Sequence, residues 1–236
     1  MRIAVGTSGY SYKEWKGTFY PGDLPASGML AFYAGRFDTV EANNTFYRMP
    51  EARTLERWAS EVPERFTFSV KAPQRITHQK KLLDAGEDVR YLFEVLASLG
   101  DKLGPVLFQL PPFLRCDTER LRQFLRILPR DQRIAFEFRH PSWTDESVHS
   151  LLREHDAALC CADTDESPDP DAILVPTASW GYLRLRRTAY AEGDLPAWAA
   201  RVQRQPWSDA FVYFKHEDEG RGPAFGQRFL EVLGSE

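Results

Sequence analysis

Side chains able to bind or transform a ligand stand at the ends of short apolar runs along this chain. The residues whose types suit catalysis are Glu41, Lys71, Glu137 and Asp163. The residues suited to binding a polar substrate are Ser8, Tyr10, Asn43, Gln109, Arg139, His140, Trp143, Arg184, Arg186 and Lys215. Paired carboxylates beside a lysine suit proton transfer, because proximity and nearby cations separate their pKa values into an acid and a base. We therefore predict Glu41 and Glu137 as acid and base, and Lys71 as a charge stabiliser or Schiff-base former.

The sequence around Glu137 indicates where its carboxylate points. Glu137 stands between Phe136 and Phe138, and side chains alternate between the two faces of a strand. If the two rings pack under helices, Glu137 points to the opposite face, where a carboxylate needs a cation or hydrogen-bond donors. Lys71, Arg139 and Arg184 are available as partners. The same residues also suit ligand binding without chemistry, or a purely structural ion-pair network.

The basic residues predict an anionic ligand. Arg139, Arg184, Arg186 and Lys71 are expected to converge near a phosphate or carboxylate, which arginine binds with bidentate geometry. Arg187 is expected to alternate outward. The rival interpretation is that these arginines only neutralise the acids.

A divalent metal is a less favoured alternative, and no cofactor is predicted. His78, His140 and His216 are placed with Glu41, Glu137 and Asp163 at strand ends, but no HxH or HxxxH pair occurs and basic neighbours oppose a cation. The glycine-containing segments match neither a P-loop nor a dinucleotide fingerprint.

Aromatic residues crowd the segment after the first predicted strand: Tyr10, Tyr12, Trp15, Phe19 and Tyr20. Such rings either stack on a sugar or base, or form a hydrophobic lid over the long first loop. The sequence leaves both interpretations open.

The elements that must position these residues alternate between strand and helix. Strands are predicted over residues 3–6, 39–43, 66–71, 106–110, 134–138, 158–162, 182–185 and 211–214, with amphipathic helical stripes between most of them. This pattern predicts an α/β fold in one domain over residues 1–236, a single (β/α)8 TIM-type barrel. The unit after the sixth strand, residues 164–179, has no helical stripe and is expected to be irregular. In such barrels the site lies at the C-terminal ends of the strands.

Composition narrows the classes of function. The 236 residues carry a net charge of −4, which weakens the case for a broad nucleic-acid surface, so nucleic acid is a less favoured partner than a small anionic molecule. The sequence has no signal-peptide pattern and no membrane-spanning apolar run. Its cysteines, Cys116, Cys160 and Cys161, lack metal or redox spacing. A cytoplasmic protein is expected, and its protein partners are unknown.

Five short blocks run in order along most of this sequence: Gly6-Thr7-Ser8-Gly9-Tyr10, Val40-Glu41-Ala42-Asn43, Phe68-Ser69-Val70-Lys71, Gln109-Leu110-Pro111-Pro112 and Glu137-Phe138-Arg139-His140. As a set they resemble the YecE-like family, also called domain of unknown function 72. The resemblance implies a TIM-type barrel without an established activity. It also implies a pocket that includes Glu41, Asn43, Lys71, Gln109, Glu137 and Arg139.

The C-terminal third departs from the pattern expected of this family. After the seventh strand the expected Tyr-x-Arg-x-His-Gly becomes Tyr182-Leu183-Arg184-Leu185-Arg186-Arg187, and after the eighth an Asn-Asn pair becomes Lys215-His216. The ends of the seventh and eighth strands are therefore more basic in this chain than in the expected family pattern. The leading hypothesis is an enzyme that uses acid–base chemistry on a small anionic, sugar-like or nucleotide-like substrate. The alternative is a nucleic-acid or nucleotide-binding protein, such as a repair nuclease.

Overall fold

The computed structural model describes residues 1–167, 169–215 and 220–234, and in this part of the chain nine parallel strands alternate with helices. The strands are β1 (Arg2–Thr7), β2 (Thr39–Ala42), β3 (Thr67–Lys71), β4 (Leu103–Gln109), β5 (Ile134–Glu137), β6 (Ala158–Leu159), β7 (Cys161–Asp163), β8 (Trp180–Leu185) and β9 (Asp209–Phe214). The fold is therefore mixed α/β with parallel strand pairing.

The α-helices follow the strands and cover their outer faces. They are α1 (Met29–Ala34), α2 (Ala52–Ser60), α3 (Gly86–Leu96), α4 (Thr118–Arg126), α5 (Glu146–Arg153), α6 (Pro170–Ile173), α7 (Asp194–Gln203) and α8 (Arg221–Gly234). Short 3₁₀ helices lie at Lys13–Trp15, Ala26–Gly28, Asn44–Phe46, Ala97–Lys102 and Pro141–Trp143, and a π-helix lies at Arg75–Gln79. None of the helices among the described residues combines the length and the apolar character needed to cross a membrane.

The strands form two sheets that touch at both ends. One sheet has the order β1-β9-β8-β7 and the other β2-β3-β4-β5-β6. Ser8, just after β1, pairs with Glu41 of β2. At the other end Cys160 separates β6, which pairs with β5, from β7, which pairs with β8. The predicted strand 158–162 is thus divided because the chain changes its pairing partner there.

Two apolar cores fill the spaces on either side of the strands. The larger core lies between strands and helices, and the smaller lies between the two sheets. Alternation along β8 sends Leu183 and Leu185 into the larger core and Tyr182 into the smaller one. Arg184 therefore enters the space between the sheets, above Tyr182. This placement prepares a charged site at the C-terminal end of the strands.

The N-terminal end of the space between the sheets is closed by packing and by one ion pair. Nη2 of Arg133 lies 2.6 Å from Oδ2 of Asp209, and its guanidinium lies 5.4 Å from the ring centroid of Phe211. On the helix-facing side of β8, Gly181 allows Trp207 of the larger core to pack closely, since a Cβ at this position would lie 2.3 Å from the indole ring.

One strand begins earlier than the sequence predicts. Gly104 and Pro105, which precede the predicted strand 106–110, belong to β4, because the register between β3 and β4 shifts there and the Pro105 carbonyl accepts a hydrogen bond from Ser69 Oγ. The segment after β7 is irregular, as predicted: the helix among its described residues is the four-residue α6.

Candidate functional site

Arg184 joins the two predicted acids into one buried ionic cluster. Its Nη1 donates to Oε2 of Glu137 at 2.5 Å, and its Nη2 donates to Oε1 of Glu41 at 3.0 Å. Its Nε lies 3.0 Å from Oε2 of Glu41, an ion-pair distance without hydrogen-bond alignment. One guanidinium from β8 therefore satisfies two carboxylates of the opposite sheet, on β2 and β5, as expected for charges removed from water.

A line of hydroxyl groups continues from Glu41 into the space between the sheets. The Tyr182 hydroxyl donates to Oε2 of Glu41 at 2.7 Å and lies 2.8 Å from Oγ of Ser69. Burial raises the pKa of Glu41, but Arg184 and Tyr182 outweigh it, so the pKa lies below its ordinary value. Glu41 is thus held as a carboxylate.

Glu137 is also held as a carboxylate. Its Oε1 lies 3.2 Å from Nε of Arg139 and 3.7 Å from Nη1 of Arg186. Burial raises the pKa of Glu137, but Arg184 and Arg139 outweigh it, with a further hydrogen bond from Gln109, and the pKa falls to about 2. At neutral pH this group carries no proton to donate.

Lys71 is the group in this cluster whose protonation changes near neutral pH. Burial and the neighbouring charge of Arg184 lower its pKa to about 8, although Glu41 and Glu137 act in the opposite direction. Its Nζ lies 4.1 Å from the ring centroid of Phe46. A partly desolvated lysine with such a pKa is suited to proton transfer or to nucleophilic attack on a carbonyl.

His78 contacts the same aromatic ring. Its ring centroid is 4.9 Å from that of Phe46, and its Nδ1 is 2.9 Å from Oγ1 of Thr77. Burial, Lys71 and Arg139 all lower the pKa of His78, so the imidazole is neutral at pH 7.

Positive charge exceeds negative charge around the buried carboxylates. Arg184 is enclosed with Glu41 and Glu137, whereas Lys71, Arg139 and Arg186, which we call the rim cations, lie further out. The Arg139 and Arg186 side chains are 34% and 21% exposed. Burial, followed by repulsion from Arg184, lowers the pKa of Arg186, so positive charges are crowded here. An added anion relieves such crowding.

Asp163 lies in a different cluster from the one the sequence predicted. Its Oδ1 lies 2.9 Å from Nε of Arg187, and its Oδ2 accepts a hydrogen bond from the Tyr190 hydroxyl at 3.1 Å. Alternation along β7 explains the difference, because Asp163 shares the helix-facing side of the strand with Cys161. Asp163 therefore contributes a helix-side ion pair, and we leave it out of the proposed site. Arg187 points outward, as predicted.

Trp143 and His140 support the loop after β5. The Trp143 indole is buried, donates to the Leu114 carbonyl at 2.8 Å and stacks on Phe138 with ring centroids 4.4 Å apart. Nδ1 of His140 accepts from the backbone N–H of Ser142 at 3.1 Å and so caps the short helix Pro141–Trp143. Both residues hold the segment that carries Arg139.

The remaining predicted residues lie around the same end of the strands. Ser8 is buried beside Glu41, and Lys215 follows β9 with its backbone N–H donating to the Leu185 carbonyl at 3.1 Å. Tyr10 and Asn43 line a cleft next to Glu41. The aromatic residues of the first loop pack as a lid, because Trp15 and Tyr20 are buried and contact Phe19.

Two contributing residues were absent from the predicted site, Tyr182 and Phe46. Tyr182 precedes Arg184 by two positions on the same strand, so alternation is the signal that identifies it. Phe46 follows Asn43 in a short 3₁₀ helix, and no sequence pattern placed its ring beside Lys71.

The metal hypothesis finds no support among the residues that the structure describes. No group of three or more histidine, cysteine, aspartate or glutamate side chains there is arranged to hold a metal ion. His216, one of the predicted ligands, lies outside the described residues.

Comparison with known proteins identifies the family. The model of the family described as "Protein of unknown function DUF72" matches residues 4–236. The chain belongs to the DUF72 family. UPF0759 protein YunF of Bacillus subtilis (strain 168) is 27% identical to it over 273 residues, which span 99% of this chain and 95% of YunF. The solved DUF72 family protein of Thermotoga maritima MSB8 superposes with a TM-score of 0.87 at 26% identity, covering 99% of this chain and 100% of that one.

A more distant structure places this DUF72 protein among TIM-like folds. The glycoside hydrolase family 5 enzyme PbGH5A from Prevotella bryantii B14 superposes with a TM-score of 0.51 at 10% identity, covering 97% of this chain and 95% of the enzyme. At that identity the likeness concerns the fold alone.

The pocket residues implied by the family resemblance lie together in this DUF72 protein. Glu41, Lys71, Gln109, Glu137 and Arg139 share the ionic cluster, while Asn43 lines the adjoining cleft. Arg186 stands where the expected family pattern has histidine, and it joins the same cluster through Glu137.

Proposed function

We propose that this protein is an acid–base enzyme acting on a small anionic, sugar-like or nucleotide-like molecule that binds at the C-terminal ends of the strands. The observation that carries the proposal is the excess of positive charge there: Arg184 and the rim cations surround the carboxylates of Glu41 and Glu137. Phosphate or carboxylate groups match the hydrogen-bonding geometry of arginine.

We further propose that the two sheets form one closed (β/α)8 barrel, in which β6 and β7 together occupy the sixth strand position. The pairing between Ser8 and Glu41 supports closure at one junction. At the other junction, the Cys160 N–H donates to the Phe136 carbonyl of β5, directly before β7 pairs with β8. A closed barrel brings all strand ends to one mouth.

The proposed roles differ from those expected from the sequence. Glu41 and Glu137 act as fixed negative charges that position Arg184, because their lowered pKa values keep them ionised at neutral pH. Lys71 transfers the proton, since a pKa of about 8 leaves both its forms populated under physiological conditions. The rim arginines bind the anionic group of the substrate.

Calorimetric titration with inorganic phosphate at low ionic strength tests the anion site. We expect binding that weakens by roughly tenfold in Arg139→Gln, because one charge-assisted interaction contributes about 1.4 kcal/mol or more. Arg53→Gln is the matched control, since Arg53 lies in the first turn of α2 and pairs with exposed Glu51. Phosphate binding that is absent from the wild type, or equal in wild type and Arg139→Gln, would refute the anion site.

Chemical labelling tests the role of Lys71. Acetic anhydride should acetylate the Lys71 peptide with a pH midpoint of about 8, as followed by mass spectrometry. Phosphate bound to the rim cations should raise that midpoint, because a neighbouring anion favours the protonated amine. The Lys71→Arg protein identifies the peptide signal, and a midpoint that phosphate leaves unchanged contradicts the proposed arrangement.

A further inference from the structure

A cleft of about 530 Å³ opens beside the ionic cluster, between the first loop and α2. Its walls come from residues 9–12, 42–44 and part of α2. The side chains are mostly uncharged, with tyrosine, asparagine, threonine and tryptophan represented: Tyr10, Tyr12, Asn43, Asn44, Thr54 and Trp58. One lining residue, Arg57, is charged, and its Nε lies 3.6 Å from Oε1 of Glu61. The cleft thus differs in character from the cationic rim.

Asn43 presents an unused hydrogen-bond acceptor in this wall. Its Oδ1 is buried and meets no donor among the residues that the structure describes. A buried polar atom without a partner is unfavourable, so a ligand that donates a hydrogen bond to this atom removes that cost. A hydroxyl or an N–H group supplies the donor.

The cleft is fixed to the ionic cluster on both sides. Gly9 donates its backbone N–H to the Glu41 carbonyl at 2.8 Å, and Thr45 Oγ1 donates to the carbonyls of Ala42 and Lys71 at 2.9 and 2.7 Å. The wall that carries Asn43 is therefore held against the strand that carries Lys71. A molecule in the cleft and an anion at the rim are neighbours.

A glycine permits the other wall to form. Gly9 has a φ of 88°, and a Cβ there would lie 2.4 Å from the hydroxyl of Tyr12. Because glycine has no Cβ, the Tyr12 hydroxyl can donate to the Ser8 carbonyl at 2.9 Å. This hydrogen bond places the Tyr12 ring along the cleft.

We propose that this cleft binds the uncharged, hydroxyl-bearing ring of the substrate while the rim cations hold its anionic group. The inference rests on the proposed function and specifies a substrate class, a sugar carrying a phosphate. Tyrosine rings and carboxamides are the groups with which proteins bind a sugar ring, through apolar contact and directed hydrogen bonds. Asn43 is then a specificity-determining residue.

The test compares inorganic phosphate with ribose 5-phosphate and glucose 6-phosphate by calorimetry. We expect at least one sugar phosphate to bind the wild type roughly tenfold or more tightly than inorganic phosphate, through contacts outside the anion site. Asn43→Ala should abolish this preference and leave the affinity for inorganic phosphate within about twofold, which also reports an intact fold. Asn44→Ala, a change at an exposed position of the same wall, should reduce the preference.

Gln74→Ala provides the matched control, because Gln74 lines a separate cavity of about 280 Å³ bounded by Phe46. Its preference for the sugar phosphate should equal that of the wild type. The inference is wrong if the wild type binds phosphate and both sugar phosphates with equal affinity, or if Asn43→Ala keeps the preference for a sugar phosphate. Neither result contradicts the anion site. Failure of inorganic phosphate to bind overturns the proposed function together with this inference.

Discussion

Nη1 of Arg184 lies 2.5 Å from Oε2 of Glu137, and the two side chains are only 3% and 2% exposed. Removal of one partner leaves charge buried without compensation. Arg184→Met should therefore lower the free energy of unfolding by about 3–5 kcal/mol at pH 7, measured by urea denaturation.

The control for this change is Arg53→Met. Arg53 pairs with Glu51 at 3.4 Å, but both side chains are largely exposed, so its loss should change stability by less than about 1 kcal/mol. Similar losses of stability in Arg184→Met and Arg53→Met would show that the buried cluster contributes no more to stability than an exposed ion pair.

Glu137 predicts a specific dependence of stability on acid pH. Its pKa is lowered from 4.5 to about 2 in the folded protein, so its contribution is complete above pH 4.5 and disappears as the pH falls toward 2. The shift corresponds to about 3 kcal/mol. Urea denaturation at a series of pH values should show a smaller decline between pH 5 and 2.5 in Glu137→Gln than in the wild type. An identical decline in both proteins would contradict the assignment.

Alternation allowed part of this site to be predicted from sequence. Phe136 and Phe138 pack against the larger core, and Glu137 points to the opposite face, as their order in the sequence indicates. Arg184 and Arg186, separated by one residue, likewise reach the same carboxylate.

The prediction of Asp163 rests on its position at the end of a strand, because alternation gives no signal where the surrounding strand is apolar on both faces. Cys160 belongs to the core between the sheets, and Cys161 belongs to the core under the helices. Because both faces of this strand are apolar, the sequence does not show which residues face which core. The low pKa of Lys71 was also inaccessible to prediction, since it depends first on burial in the folded protein and then on Arg184 from a distant strand.

The packing of the first loop predicts weak binding to nucleic acid. Trp15 and Tyr20 are each only 1% exposed and therefore offer no stacking surface, and the net charge of the protein is −4. Fluorescence anisotropy with single-stranded and abasic oligonucleotides should give dissociation constants weaker than about 100 µM at physiological salt. Micromolar binding that weakens as salt is added would instead support the nucleic-acid alternative.

Close packing on the helix-facing side of β8 makes Gly181 sensitive to substitution. A Cβ at this position would lie 2.3 Å from the Trp207 ring, so Gly181→Ala should lower the free energy of unfolding by about 1–3 kcal/mol. Gly86→Ala, at the start of α3, meets no heavy atom within 4 Å and should be neutral or stabilising by up to about 1 kcal/mol. Urea denaturation of both variants checks the difference, and equal stabilities would contradict the contact.

Lys71 should destabilise the fold that contains it. Its pKa is lowered from 10.5 to about 8, first by burial and then by Arg184, so the charged form that predominates at pH 7 is disfavoured in the folded protein. Lys71→Met removes this cost and should raise the free energy of unfolding by about 1–2 kcal/mol at pH 7, after allowance for partial exposure. The gain should shrink as the pH rises from 8 to 10.5, because the wild-type lysine then becomes neutral in both states. Thermal and urea denaturation across this range measure the effect.

If Lys71→Met is less stable than the wild type at pH 7, Lys71 supports the fold and the prediction is wrong. If the variant is more stable but binds phosphate more weakly, Lys71 serves ligand binding at the expense of stability.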